Sequence, residues 1–161
     1  GIEQNNKKNK FNNIYYSNEH GLNSRLDEIH SSILNIKIKQ VKSFIQKRRK
    51  LANLYTKELS ETSLILPKEK KNCKHVYHLY TVYHPKRDRI LKELSNKKIN
   101  INIYYPYPIH KMKGYLSKEK VDLKITNKVS KGIFSLPLYP ELEVSDLKKI
   151  TNILKKILAK F

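Results

Sequence analysis

Two stretches of this sequence carry side chains whose types and spacing could hold an anion or a polyol. In residues 21–25, Gly-Leu-Asn-Ser-Arg, an amide and a guanidinium stand just ahead of a run with helical spacing. The free N–H groups and the dipole at a helix N-terminus favour an anion. Asn23 could add a neutral donor there, and Arg25 a bidentate fork that suits phosphate or carboxylate. A simpler reading has Asn23 capping the helix and Arg25 pairing with Asp27 or Glu28, and on physical grounds alone the cap is favoured. The second stretch is YYPYPIH, residues 104–110. Here Tyr104, Tyr105, Tyr107 and His110 surround two prolines, and a stiffened loop of this kind could hold hydroxyls and an imidazole in an array suited to a polar ligand. A tyrosine-rich strand end covering the core explains the same residues equally well.

Other reactive side chains make weaker cases. Cys73, His75, His78 and His84 give the spacing Cys-x-His-x2-His-x5-His, which fits no structural zinc pattern. Strand alternation would also send His75 away from His78 and His84, whereas tetrahedral ligation needs convergence. No serine sits in a G-x-S-x-G turn, and only four glycines are present, too few for a glycine-rich phosphate cradle.

The elements that must position these groups can be read from periodicity. Ser24-x-x-Asp27 approximates a capping box, with Asp27 and Glu28 in the first turn. Leu26, Ile29, Ile33, Val41, Phe44, Ile45, Leu51, Ala52, Tyr55 and Leu59 then recur at helical spacing. They predict one long amphipathic helix, or two joined near residues 35–39, ending before Pro67. Residues 73–85 change to period two and are rich in Tyr and Val, which predicts a strand closed by Pro85. A helix follows over 86–98 with Ile90, Leu91 and Leu94 on its apolar face. An alternating strand over 99–110 runs into the proline loop, and 111–131 is basic and unpatterned. A short apolar strand is expected within 132–142, and then a closing helix over 145–161. That last helix has Ser145 as N-cap, with Leu147, Ile150, Ile153, Leu154, Ile157 and Leu158 inward. The expected class is α+β: a long N-terminal helix, then a small, mainly antiparallel sheet with helices on one face.

Composition bounds the partners. The 161 residues carry 34 Lys and Arg against 14 Asp and Glu, a net charge of +20. Such a balance invites nucleic-acid binding through counterion release, and a small basic nucleic-acid-binding module is the alternative function. The lysines are spread along the chain, however, among many Asn and Ile, as an AT-rich coding sequence would produce. That explanation is favoured over DNA or RNA binding. No apolar run approaches the ~18 residues of a membrane span, so no membrane partner is expected. The single cysteine fits a reducing, cytoplasmic setting.

Five blocks in order then acquire a common explanation. Residues 21–34, GLNSRLDEIHSSIL, resemble the G-x-N-S-R-L-D-E-I-Q-A-A-I-L block of the DegT/DnrJ family of pyridoxal-phosphate-dependent sugar aminotransferases, with His30, Ser31 and Ser32 departing from Gln-Ala-Ala. RRKLANLY (48–55), VYHLYTVYHPKRDRILKEL (76–94), IYYPYPIH (103–110) and SLPLYPEL (135–142) follow in family order. The resemblance implies the C-terminal small domain of a fold type I aminotransferase. Residues 1–22 would then be a remnant of the large-domain or linker segment, 23–66 a long connecting helical region, and 67–161 the small domain.

It also implies a homodimer in which Asn23, and with it Arg25, reaches the cofactor phosphate of the neighbouring subunit. Tyr104, Tyr105 and His110 inherit contacts to a nucleotide-linked keto sugar, with Tyr104 standing where the family usually has His. An amino acid such as glutamate would be the amino donor, in polysaccharide or glycan biosynthesis. The family's Schiff-base lysine and the acid that pairs with the pyridinium nitrogen lie upstream of these blocks, and no such segment occurs in the chain. The sequence begins at Gly1 rather than Met, and the expectation is a piece of a longer enzyme, inert alone, completed by a second subunit or an N-terminal large domain.

Overall fold

A computed structural model describes residues 27–111 and 122–161. The chain divides into two compact units, residues 1–40 and 41–161.

In the first unit, helix α1 spans Glu28–Ile38. Its N-cap is Asp27, in an extended conformation and without a side-chain capping bond. This corrects the expected place of Asp27, which is the boundary residue and not part of the first turn; the expected caps Asn23 and Ser24 lie outside the described residues. No residue of α1 is buried, and Ile29, Ile33, Leu34, Ile36 and Ile38 are all exposed. The helical run breaks at Lys39 and Gln40, so the two-helix alternative holds.

The second unit opens with α2, Val41–Leu59, which buries Leu51, Ala52, Tyr55 and Leu59. These positions repeat at one and two helical turns and make a single stripe. Strand β1 covers Tyr80–Tyr83, α3 Arg87–Asn96, α4 Lys124–Ser130, β2 Ile133–Leu136 and α5 Val144–Leu158, with a single 3-10 turn at Ile109–Lys111. The strands pair antiparallel with Tyr80 opposite Leu136 and Val82 opposite Phe134. Because side chains alternate across a strand, these four share one face, and all are buried. On the other face the hydroxyls of Thr81 and Ser135 meet at 3.0 Å. Isolated bridges widen the sheet: Ile65 pairs with Tyr83 on one side and Asn102 with Ser135 on the other. The core gathers the α2 stripe, this sheet face, Ile90 and Leu94 of α3, and Leu147, Leu154, Ile157 and Leu158 of α5.

Several sequence expectations change here. Only four residues of the expected 73–85 strand form β1. Upstream, the amide of His75 donates to Glu69 Oε1 at 2.6 Å and that of Tyr77 to His75 Nδ1 at 2.8 Å. Tyr77 itself has φ 49°, so alternation sets no direction for His75 or His78. The expected strand over 99–110 contracts to the bridge at Asn102. Residues 124–130, within the unpatterned stretch, form α4, whose one buried residue is Ser130. Ser145 lies inside α5, and Glu143 is the N-cap. Ile150 and Ile153 are only partly buried. Among the described residues no helix is long and apolar enough to cross a membrane.

Candidate functional site

The proline loop leaves the sheet at the Asn102 bridge, where Ser135 N–H donates to the Asn102 carbonyl at 3.0 Å. Just beyond, the Asn102 amide donates to the Tyr104 hydroxyl at 3.4 Å. The rings of Tyr104 and Tyr105 meet edge to face, centroids 5.7 Å apart. Tyr105 and Tyr107 are 72% and 70% exposed, so the loop displays phenols to solvent rather than sealing the core. His110 is half-buried, with Nε2 3.1 Å from Asn127 Oδ1 on α4. Asn127 in turn donates through Nδ2 to Asp122 at 3.3 Å. Sequence reasoning missed Asn127 and Asp122, because the stretch holding them has no pattern that signals either a helix or a site.

Asn127 also borders a groove of about 480 Å³, with Tyr83, Asp122, Lys124, Lys128 and Lys131 on its walls. One wall residue, Tyr83, lies against Gly132: a Cβ there would collide with the phenol ring, so only bare backbone leaves room for it. The groove is held from the α3 side. The buried Arg87 guanidinium donates to the Ser130 carbonyl at 2.6 Å and through Nε to Asp88 at 2.8 Å, which satisfies a charge that burial would otherwise penalise.

Of the remaining candidates, those among the described residues do not converge. Asn23 and Arg25 lie outside the described residues. Cys73 is exposed. His75 is occupied by the Tyr77 amide, while His84 accepts from Lys86 N–H at Nδ1 and meets Ser63 Oγ at 3.2 Å through Nε2. Among the described residues no three His, Cys, Asp or Glu side chains stand together as metal ligands.

This helix-and-antiparallel-sheet unit has the fold of part of a known class of enzymes. It is similar to the crystal structure of DesV from S. venezuelae, with a TM-score of 0.78 and 26% identity, over 89% of this chain and 39% of that one. The chain belongs to the DegT/DnrJ/EryC1/StrS aminotransferase family, whose model matches residues 1–155. Curated relatives include the dTDP-3-amino-3,4,6-trideoxy-alpha-D-glucose transaminase of Micromonospora megalomicea subsp. nigra, 37% identical over 80% of this chain and 37% of its own length. Another is the dTDP-3-amino-3,6-dideoxy-alpha-D-galactopyranose transaminase of Aneurinibacillus thermoaerophilus, 30% identical over 82% of this chain and 36% of its own. The chain thus spans little more than a third of the relatives it matches.

The family implies pyridoxal phosphate for the full enzyme. Covalent attachment needs a desolvated lysine in a pocket. Every described lysine is exposed except Lys155, which is half-buried on Glu58 at 2.8 Å. The described residues therefore do not fit covalent attachment of this cofactor.

Proposed function

We propose that this chain serves as the C-terminal portion of a nucleotide-sugar aminotransferase, one that transfers an amino group from an amino acid such as glutamate to a keto-sugar nucleotide. The observation that carries the reading is the family match over residues 1–155, together with the family blocks in their usual order. Pyridoxal phosphate, held by the rest of the enzyme, supplies the carrier of the amino group. The parts of this chain divide as the family's do: residues 1–22 go with the cofactor domain, 23–66 connect, and 67–161 form the small domain. Asn23 and Arg25 hold the cofactor phosphate of a second protomer by amide and guanidinium donation. Tyr104, Tyr105 and His110 orient the sugar, and the exposure of Tyr105 and the half-burial of His110 leave both open to a polyol.

Alone, the chain is inert, because it brings donors for the phosphate and the sugar but, among the described residues, no attachment lysine. Incubation with pyridoxal phosphate, reduction with borohydride and peptide mapping test this directly. The expected result is label spread thinly over many exposed lysines and no amino transfer from glutamate to a keto-sugar nucleotide. A single lysine labelled stoichiometrically overturns the reading.

A further inference from the structure

We infer that Asp122 and Asn127 are positioning residues that fix the tautomer of His110, so that its Nδ1 is the nitrogen offered to ligand. The inference rests on the sugar-contact reading for what that ligand is, but not for the tautomer itself.

A carboxylate accepts hydrogen bonds and donates none. The Asn127 atom 3.3 Å from Asp122 Oδ1 is therefore Nδ2. This fixes the amide's other end: the atom 3.1 Å from His110 Nε2 is Oδ1, which can only accept. His110 Nε2 must then carry a proton, whether the ring is neutral or cationic. Nδ1 has no hydrogen-bond partner among the described residues. In its neutral form His110 presents an Nδ1 lone pair, and the matching ligand group is a hydroxyl or amine that donates.

The backbone around Asn127 keeps this chain of bonds in register. Asn127 N–H donates to the Leu123 carbonyl at 2.8 Å, and its own carbonyl accepts from Ser130 Oγ at 3.2 Å. The Ser130 carbonyl is gripped in turn by the buried Arg87. On the loop side, Lys111 N–H donates to the Pro108 carbonyl at 2.9 Å and closes the turn that holds His110. An amide between an imidazole and a carboxylate differs from a direct His–Asp pair: it orients the ring without putting a full charge beside it.

Long-range proton–nitrogen correlation spectra of the histidine-labelled chain at mildly alkaline pH read the tautomer, with the His110→Gln variant assigning the signal. The expected pattern is a proton on Nε2 alone. In Asn127→Ala the two ring nitrogens move toward averaged positions, whereas Asn127→Asp, which still offers an acceptor to Nε2, keeps the wild-type pattern. Should Asn127→Ala fail to fold, Asp122→Ala makes the same point, because the freed amide can turn over and the preference relaxes. A proton on Nδ1 in the wild type, or a pattern unmoved in a folded Asn127→Ala or Asp122→Ala, overturns the inference. Titration with dTDP-glucose separates the two ideas. A shift at His110 Nδ1 with Nε2 unmoved supports the sugar as ligand. No shift, with the wild-type tautomer intact, removes the sugar contact and leaves the tautomer assignment standing.

Discussion

Replacing Tyr55 by Phe removes one oxygen from the centre of the fold and leaves the ring in place. Tyr55 is fully buried and stacks on Tyr80 with centroids 5.1 Å apart. Its hydroxyl donates to the Pro137 carbonyl at 2.9 Å, tying α2 to the segment just after β2. Burial, with Tyr139 and Tyr80 close by, pushes this phenol well above its usual pKa, so it remains a donor through mildly alkaline pH. A buried hydrogen bond contributes about 1 kcal/mol net, and a carbonyl left unpartnered costs ~1–3 kcal/mol. The expected loss is about 1–2 kcal/mol, a drop in urea midpoint of roughly 0.5–1.5 M at unchanged slope.

Tyr80→Phe is the internal control. Thr56 Oγ1 spends its proton on the Ala52 carbonyl at 3.0 Å, so Tyr80 must be the donor in the 2.8 Å contact between their hydroxyls. Without it Thr56 keeps one bond, and the loss should stay near 0.5–1 kcal/mol. Urea unfolding followed by circular dichroism compares the two. Equal midpoints for Tyr55→Phe and wild type, or a larger loss for Tyr80→Phe, would refute the reasoning.

Three further outcomes follow from other contacts. The Arg49 fork (2.9 and 3.0 Å) and then the His75 N–H hold the Glu69 carboxyl down at about 2 from 4.5. Stability from this depressed group is present above pH 4.5 and lost as pH falls toward 2, so urea midpoints of Glu69→Gln should decline less across that window than those of wild type. Burial, and then Lys86, lower the His84 pKa from 6.5, so its neutral form stabilises fully above pH 6.5 and the stability fades below it; His84→Gln should flatten that slope in thermal melts. Gly132→Ala drives a Cβ to 2.3 Å from the Tyr83 ring and should cost ~1–3 kcal/mol, much of it recovered in the double variant with Tyr83→Leu, as a double-mutant cycle would measure.

Where one apolar stripe meets the core, the sequence was readable. The spacing of Leu51, Ala52, Tyr55 and Leu59, and of Leu147, Leu154, Ile157 and Leu158, predicts α2 and α5, because burial and helical period coincide. Residues 73–79 misled for a physical reason. Their Tyr and Val alternate as a strand's would, but the amides of His75 and Tyr77 are taken by a distant carboxylate and a neighbouring ring. Nothing in a lysine-rich loop marks Glu69 as that carboxylate. α4 was invisible because Ile125 and Val129 are 80% and 40% exposed, which leaves no stripe to detect. The tyrosines and His110 stand out in the sequence because one proline loop carries them. Asn127, 17 residues further on, meets His110 only through tertiary structure, and Asp122 joins through its own bond to Asn127.

Saturation-transfer NMR with dTDP-glucose, at an ionic strength that screens exposed charges, tests most directly whether the proline loop receives a nucleotide-linked sugar. Saturation should reach the hexose protons and be lost in a folded Tyr105→Ala/His110→Ala double variant. Saturation confined to the nucleotide and abolished by salt, or hexose saturation unchanged in the double variant, would contradict this reading.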